Sequence, residues 1–111
     1  MRVTSSLWVE AYMRLCYAEG ATATLTRRGA AEAGAIFVVV DRLTGSADLY
    51  GQAPQAAFDE GQPSERLFQL VVEAQPLAAV DERLAREVRF DPDVWIVAVE
   101  DRDGRVFFDT V

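Results

Sequence analysis

The chain has no histidine, no lysine and no asparagine, and a single cysteine, Cys16. Each absence removes some chemistry. Without imidazole there is no side chain that ordinarily titrates near neutral pH and no nitrogen ligand, which excludes most hydrolase triads and most zinc enzymes. One cysteine cannot close an internal disulfide and excludes a Cys-cluster zinc site. Every basic residue is an arginine, 11 of them against 18 acids, for a formal net charge of −7. No stretch approaches the ~18 uninterrupted apolar residues of a membrane span. The opening residues, Met1-Arg2-Val3-Thr4-Ser5-Ser6, lack the apolar core and cleavage site of a secretory signal. The expected compartment is the cytoplasm, where a lone thiol is stable, and no membrane partner is expected. No metal and no cofactor is implied.

The 111 residues, half of them hydrophobic and 26% charged, correspond to one α+β domain over 1–111. Residues 1–55 carry five arginines and five acids, so the whole negative balance falls on residues 56–111. Such a half repels phosphate backbones, which makes nucleic acid an unlikely partner, and it also keeps a small domain soluble.

Ser5 or Ser6 is placed to cap a helix that runs to about Glu19, where Gly20 ends it in the left-handed conformation. Trp8, Ala11, Tyr12 and Leu15 follow the i, i+3, i+4, i+7 spacing, widened by Val9, Met13 and Cys16, so this helix is expected to be well buried. Residues 21–28 alternate small apolar residues with Thr, as a half-exposed strand does. Gly29 to Gly34 forms a break with room for one helical turn. Ala35 to Val40 is a β-branched run without alternation, which predicts a strand covered on both faces. A hairpin over 41–46 returns along 47–51, and a loop follows through Pro54 and Asp59–Ser64. Residues 65–74 are assigned to a strand. Val80, Leu84 and Val88 mark a helix over 78–89 with the i,i+4 pairs Glu82–Arg86 and Arg83–Glu87. Pro92 stops it, and residues 94–100 form a second non-alternating strand. Asp103-Gly104 then predicts a closing hairpin, with 105–108 returning beside that strand.

The predicted fold is therefore α+β, a mostly antiparallel sheet of five to six strands with two helices packed on one face. That arrangement leaves the two doubly apolar strands under-covered. Either the sheet curls onto itself or a second copy covers it, so a homodimer is an open expectation.

Candidate sites are few. Asp101-x-Asp103-Gly104 begins like a calcium loop, but Val106, Phe107 and Phe108 stand where later oxygen ligands are needed. Arg27-Arg28-Gly29 is the one basic dipeptide, and arginine suits forked recognition of phosphate or carboxylate. It ends a strand beside the Gly29–Gly34 break, whose backbone N–H groups could receive a small anion. The alternative is a plain charged strand end with Glu32 as local partner. Asp91-Pro92-Asp93 has the chemistry of a turn, with a carboxylate site as the other reading. The aromatic residues, Phe90 among them, are assigned by default to the core.

Three stretches together resemble a known family: the Gly20 turn, Arg27-Arg28-Gly29-x-x-x-Ala33-Gly34-Ala35-Ile36, and Leu84-Ala85-Arg86-Glu87-x-x-Phe90-Asp91-Pro92-Asp93-x-Trp95 with Glu100-Asp101 after it. They resemble the bacterial domain-of-unknown-function family 1491, short cytosolic proteins of alphaproteobacteria, over nearly the whole chain. The resemblance implies that Arg27, Arg28, Gly34, Asp91, Pro92, Asp93 and Trp95 belong to a shared pattern. It implies no activity.

Two functional expectations follow. The first is a protein-protein interaction or homodimeric accessory module, its partner another protein or itself. The alternative is an anion or ligand binder, or an enzyme, that uses Arg27 and Arg28 with Asp91, Asp93 and Trp95. No catalytic residue is assigned.

Overall fold

The structure, a computed structural model, describes residues 3–54 and 66–111. Its elements run α1 (Ser5–Ala18), β1 (Thr22–Arg27), β2 (Ile36–Asp41), β3 (Ser46–Gln52), β4 (Phe68–Pro76), α2 (Leu77–Phe90) and β5 (Trp95–Glu100). The loop expected over Asp59–Ser64 and the strand start at Glu65 lie outside the described residues.

Helix α1 is capped by Thr4, whose hydroxyl accepts from Leu7 N–H at 3.2 Å, and not by Ser5 or Ser6. Ser5 is buried instead, and its hydroxyl donates to the Gly34 carbonyl at 2.6 Å. At the other end Ala21 N–H reaches Cys16 O and Gly20 N–H reaches Tyr17 O, with Gly20 at φ +86°. This is a Schellman ending, as the position of that glycine predicted.

The sheet order is β1-β5-β2-β3-β4. Three neighbouring pairs are antiparallel, and β2 pairs with β5 in parallel, Ile36 facing Trp95 through to Asp41 facing Glu100. The sheet is thus open and mixed. A parallel neighbour needs a crossover, and α2 supplies it by carrying the chain from β4 back to β5 in the interior.

Alternation along the two central strands sends their side chains into two cores. Ile36, Val38, Val40, Trp95, Val97 and Val99 pack with Val9, Tyr12 and Cys16 of α1. Val39 and Ile96 pack on the opposite face with Leu49 and with Val80 and Leu84 of α2. The helices therefore lie on opposite faces, not on one as the sequence suggested. The physical reason is the pair of doubly apolar strands, which one helical layer cannot cover. The sheet faces need no second copy to shield their centre.

The expected closing hairpin also fails. Asp101–Gly104 does turn, with Gly104 N–H on Asp101 O at 3.0 Å and φ +68° at Gly104, but 105–108 forms no strand. Strand β5 already has β1 and β2 on its two edges, so no ladder position is free. The tail instead runs across the α1 side. There Tyr12 Oη donates to Val106 O at 2.8 Å and Phe108 stacks on Phe68 at 4.4 Å between ring centroids. Burial pushes the Tyr12 phenol far up from its ordinary pKa, which keeps this hydroxyl a donor at all physiological pH. Of the expected i,i+4 pairs on α2, Arg83–Glu87 forms at 3.1 Å and Glu82–Arg86 does not.

Two carboxylates are consumed by the frame. Asp48, 1% exposed, accepts Arg42 through Oδ2 at 2.8 Å and the Ala74 N–H through Oδ1 at 2.8 Å, where Ala74 sits at φ +50°. Asp48→Ala leaves that backbone donor without its acceptor, and urea unfolding is expected to show a loss of about 2–3 kcal/mol. Asp101 accepts the Arg105 guanidinium and its backbone N–H, and these bonds hold its carboxyl below the usual range. A depressed carboxyl stabilises the fold above its unfolded pKa and loses that contribution as the pH falls toward the folded value. The urea-midpoint gap between wild type and Asp101→Asn is expected to be constant from neutrality to about pH 5 and to narrow below about pH 4. A gap unchanged down to strong acid would show that the charged form contributes nothing.

Candidate functional site

Antiparallel pairing of β1 with β5 sets Arg27 opposite Ile96, so the end of β1 and the turn into β5 share one corner. The turn is built by its own residues. Asp91 N–H closes α2 on Glu87 O at 2.9 Å, and Asp91 takes the extended conformation that a following proline imposes. Its Oδ1 then accepts Asp93 N–H at 3.0 Å, an Asx turn.

The Gly29–Gly34 break closes over this turn. Ala30 N–H donates to Asp93 O at 2.9 Å, and Gly34 N–H returns to Ala30 O at 3.2 Å, the single helical turn expected there. The Trp95 indole N–H donates to the same Ala30 carbonyl at 2.7 Å. Neither glycine has room for a side chain. A Cβ at Gly29 would strike Asp93 O and come within 2.7 Å of the Trp95 ring, and one at Gly34 would strike Asp93 O. The carbonyls of Ala31 and Glu32 accept the N–H groups of Ser6 and Ser5, so the first donors of α1 are satisfied by this loop.

The arginine pair and the Asp-Pro-Asp turn thus meet, through backbone and ring. Arg27 Nη2 donates to Pro92 O at 2.7 Å, while its Nε is buried without a hydrogen-bond partner among the described residues. Arg28 lies over the Trp95 ring, 5.4 Å from its centroid. Among the described residues Asp91, Asp93 and Glu32 form no ion pair with either arginine. Both aspartates are exposed, as is Arg28, and Trp95 is buried. Arg27, Arg28, Asp91, Asp93 and Trp95 line none of the four described clefts, whereas Glu32 and Gly34 line one, beside Ser5 and Gln52.

One aromatic residue departs from its expected place. Phe90, assigned to the core, is 92% exposed at the end of α2. The signal was available: Val80, Leu84 and Val88 mark the buried stripe, and Phe90 falls roughly 200° from Val88 on the helical wheel, on the far side. Arg86, Arg89 and Phe90 line a cleft of about 370 Å³. A second cleft of about 390 Å³ lies between α1 and the tail, walled by Trp8, Ala11, Leu15 and Phe108 with the buried Arg66 beside it. No helix among the described residues is long and apolar enough to cross a membrane.

This open mixed sheet with one helix on each face, pinned at the corner where the glycine break meets the β5 turn, defines a small α+β protein without an assigned chemistry. The chain matches the family described as Protein of unknown function (DUF1491) over residues 3–109, and it belongs to that family. A DUF1491 family protein from Caulobacter crescentus CB15, known as a crystal structure, shares 34% identity with a TM-score of 0.80, over 100% of this chain and 99% of that one. An NMR structure of a DUF1491 family protein from the same organism gives 35% identity and 0.80 over 100% and 98%. A protein from A. tumefaciens, solved in solution, gives 37% identity and 0.79 over 90% and 86%. No curated protein matches the chain.

The corner makes a stability prediction. Gly34→Ala is expected to cost about 1–3 kcal/mol by overpacking, and Trp95→Phe about 1–3 kcal/mol through the lost buried hydrogen bond. Arg28→Ala, which removes one ring contact at the surface, is expected to cost less than about 1 kcal/mol. Urea denaturation of the three variants checks this order, and an unchanged midpoint for Gly34→Ala would show that the loop gives way without penalty.

Proposed function

We propose that the protein is a protein-binding module whose contact is the turn between α2 and β5, with Phe90 as its anchor. The observation that carries this reading is the exposure of Phe90. Removing a phenyl side chain from water is worth about 1.5–3 kcal/mol, and this fold forgoes it. The residues that follow Phe90 are tied down by the Asx turn, by Arg27 and by Ala30, so the ring projects from a preorganised support. A partner that buries it therefore has little ordering entropy to overcome. Arg86 and Arg89 flank the ring and have no carboxylate partner among the described residues. Aromatic and arginine side chains together are the composition of interface hot spots. Their charge complements a protein segment that presents carboxylates beside an apolar pocket. The net charge of −7 weighs against nucleic acid at the same surface.

The test is parallel affinity capture from a bacterial extract with wild type and Phe90→Ala, both verified as folded by circular dichroism. One bound protein is expected to be retained by wild type and to fall by at least about tenfold on Phe90→Ala, the scale of one buried aromatic anchor. It is also expected to weaken with added salt, as contacts to Arg86 and Arg89 require. Identical retention by both chains would remove the proposal.

A further inference from the structure

We infer that a second surface, the outer side of α1, pairs two copies of this chain about a two-fold axis through Ala11. Leu7 is 51% and Leu15 42% exposed, and Ala11 between them is exposed too. At about 100° per residue these three, with Ala18, share one side of the helix, turned away from the buried Val9, Tyr12 and Cys16. The apolar stripe of α1, continuous through Leu15 and Trp8, is thus wider than the part the sheet covers.

The order of residues on that side is self-complementary. An antiparallel pair centred on Ala11 sets Leu7 of one copy level with Leu15 of the other, at both ends of the contact. The small residue falls at the crossing, where two axes approach within about 8–10 Å. The same axis puts Glu10 of one copy and Arg14 of the other on one flank, within about 3 Å of each other along the helix direction. Both are exposed, and neither forms an ion pair within the described chain. Each copy therefore supplies an acid where the other supplies a base. On the opposite flank, Leu15 of one copy meets Trp8 of the other at the mouth of the cleft of about 390 Å³ between α1 and the tail. A helix of 14 residues is about 21 Å long, so the contact is smaller than a standard interface and its dimer is a concentration-dependent one. A foreign helix would have no reason to match both the Leu-Ala-Leu spacing and the charge order, whereas a second copy matches both.

The experiment is sedimentation equilibrium on the full chain up to about 500 µM, a range that reveals contacts of this size. Wild type is expected at twice the monomer mass. Glu10→Arg alone turns each of the two cross-copy pairs into arginine against arginine and Arg14→Glu alone turns each into glutamate against glutamate, so each variant is expected at monomer mass. Mixed in equal amounts the two variants are expected to return to the dimer mass, because every repulsive pair then becomes attractive. Phe90→Ala is expected to keep the dimer. The inference is overturned by a monomeric wild type, by single variants as heavy as wild type, by a mixture no heavier than its parts, or by dissociation on Phe90→Ala.

Discussion

Parallel pairing of β2 with β5 puts two strands without a polar side at the middle of the sheet, and both of their faces have to be kept from water. Much of the architecture follows from that requirement. A parallel neighbour demands a crossing element, so α2 must travel from β4 over the sheet. It then covers one face through Val80 and Leu84. The other face is left to α1, which meets it with Val9, Tyr12 and Cys16. Cys16 is fully buried there as a small apolar filler, and burial pushes its thiol up from the ordinary value.

The second constraint is local. The Asp93 carbonyl receives Ala30 N–H and is approached so closely by Gly29 and Gly34 that a methyl group fits at neither. The Ala30 carbonyl in turn takes the Trp95 indole. This corner joins β1, β5 and the start of α1, and its polar atoms are largely spent on one another. The side chains exposed around it include Arg28, Asp91 and Asp93 as well as Phe90, Arg86 and Arg89.

Element types and most boundaries were legible in the sequence because period and turn chemistry are local. The Gly20 stop, the non-alternating strands at 36–41 and 95–100, and the Val80-Leu84-Val88 stripe all follow from neighbouring residues. What was not legible depended on partners far along the chain. Asp103-Gly104 has the chemistry of a hairpin and does turn, yet whether 105–108 can pair depends on whether β5 has a free edge. Placing both helices on one face failed for a similar reason, since local pattern shows that a strand is covered but not by which element. At the candidate site the meeting of Arg27-Arg28 with Asp91-Pro92-Asp93 was anticipated only as an alternative. Its means, carbonyls and an aromatic ring, left no trace in charge patterning. Phe90 was missed by treating aromatic residues as core by default, although its angular position on α2 gave it away.

The tail that displaced the expected hairpin has one more effect. Asp109 O accepts the Phe68 N–H and Val111 N–H donates to Phe68 O, a short parallel rung on the outer margin of β4. At the opposite margin the Tyr17 hydroxyl occupies the Ala23 carbonyl at 2.6 Å. An open sheet invites unlimited stacking of like strands, side by side, into fibres. Here each rim carries a stopper drawn from elsewhere in the same chain, so part of each unclosed edge already has its partner.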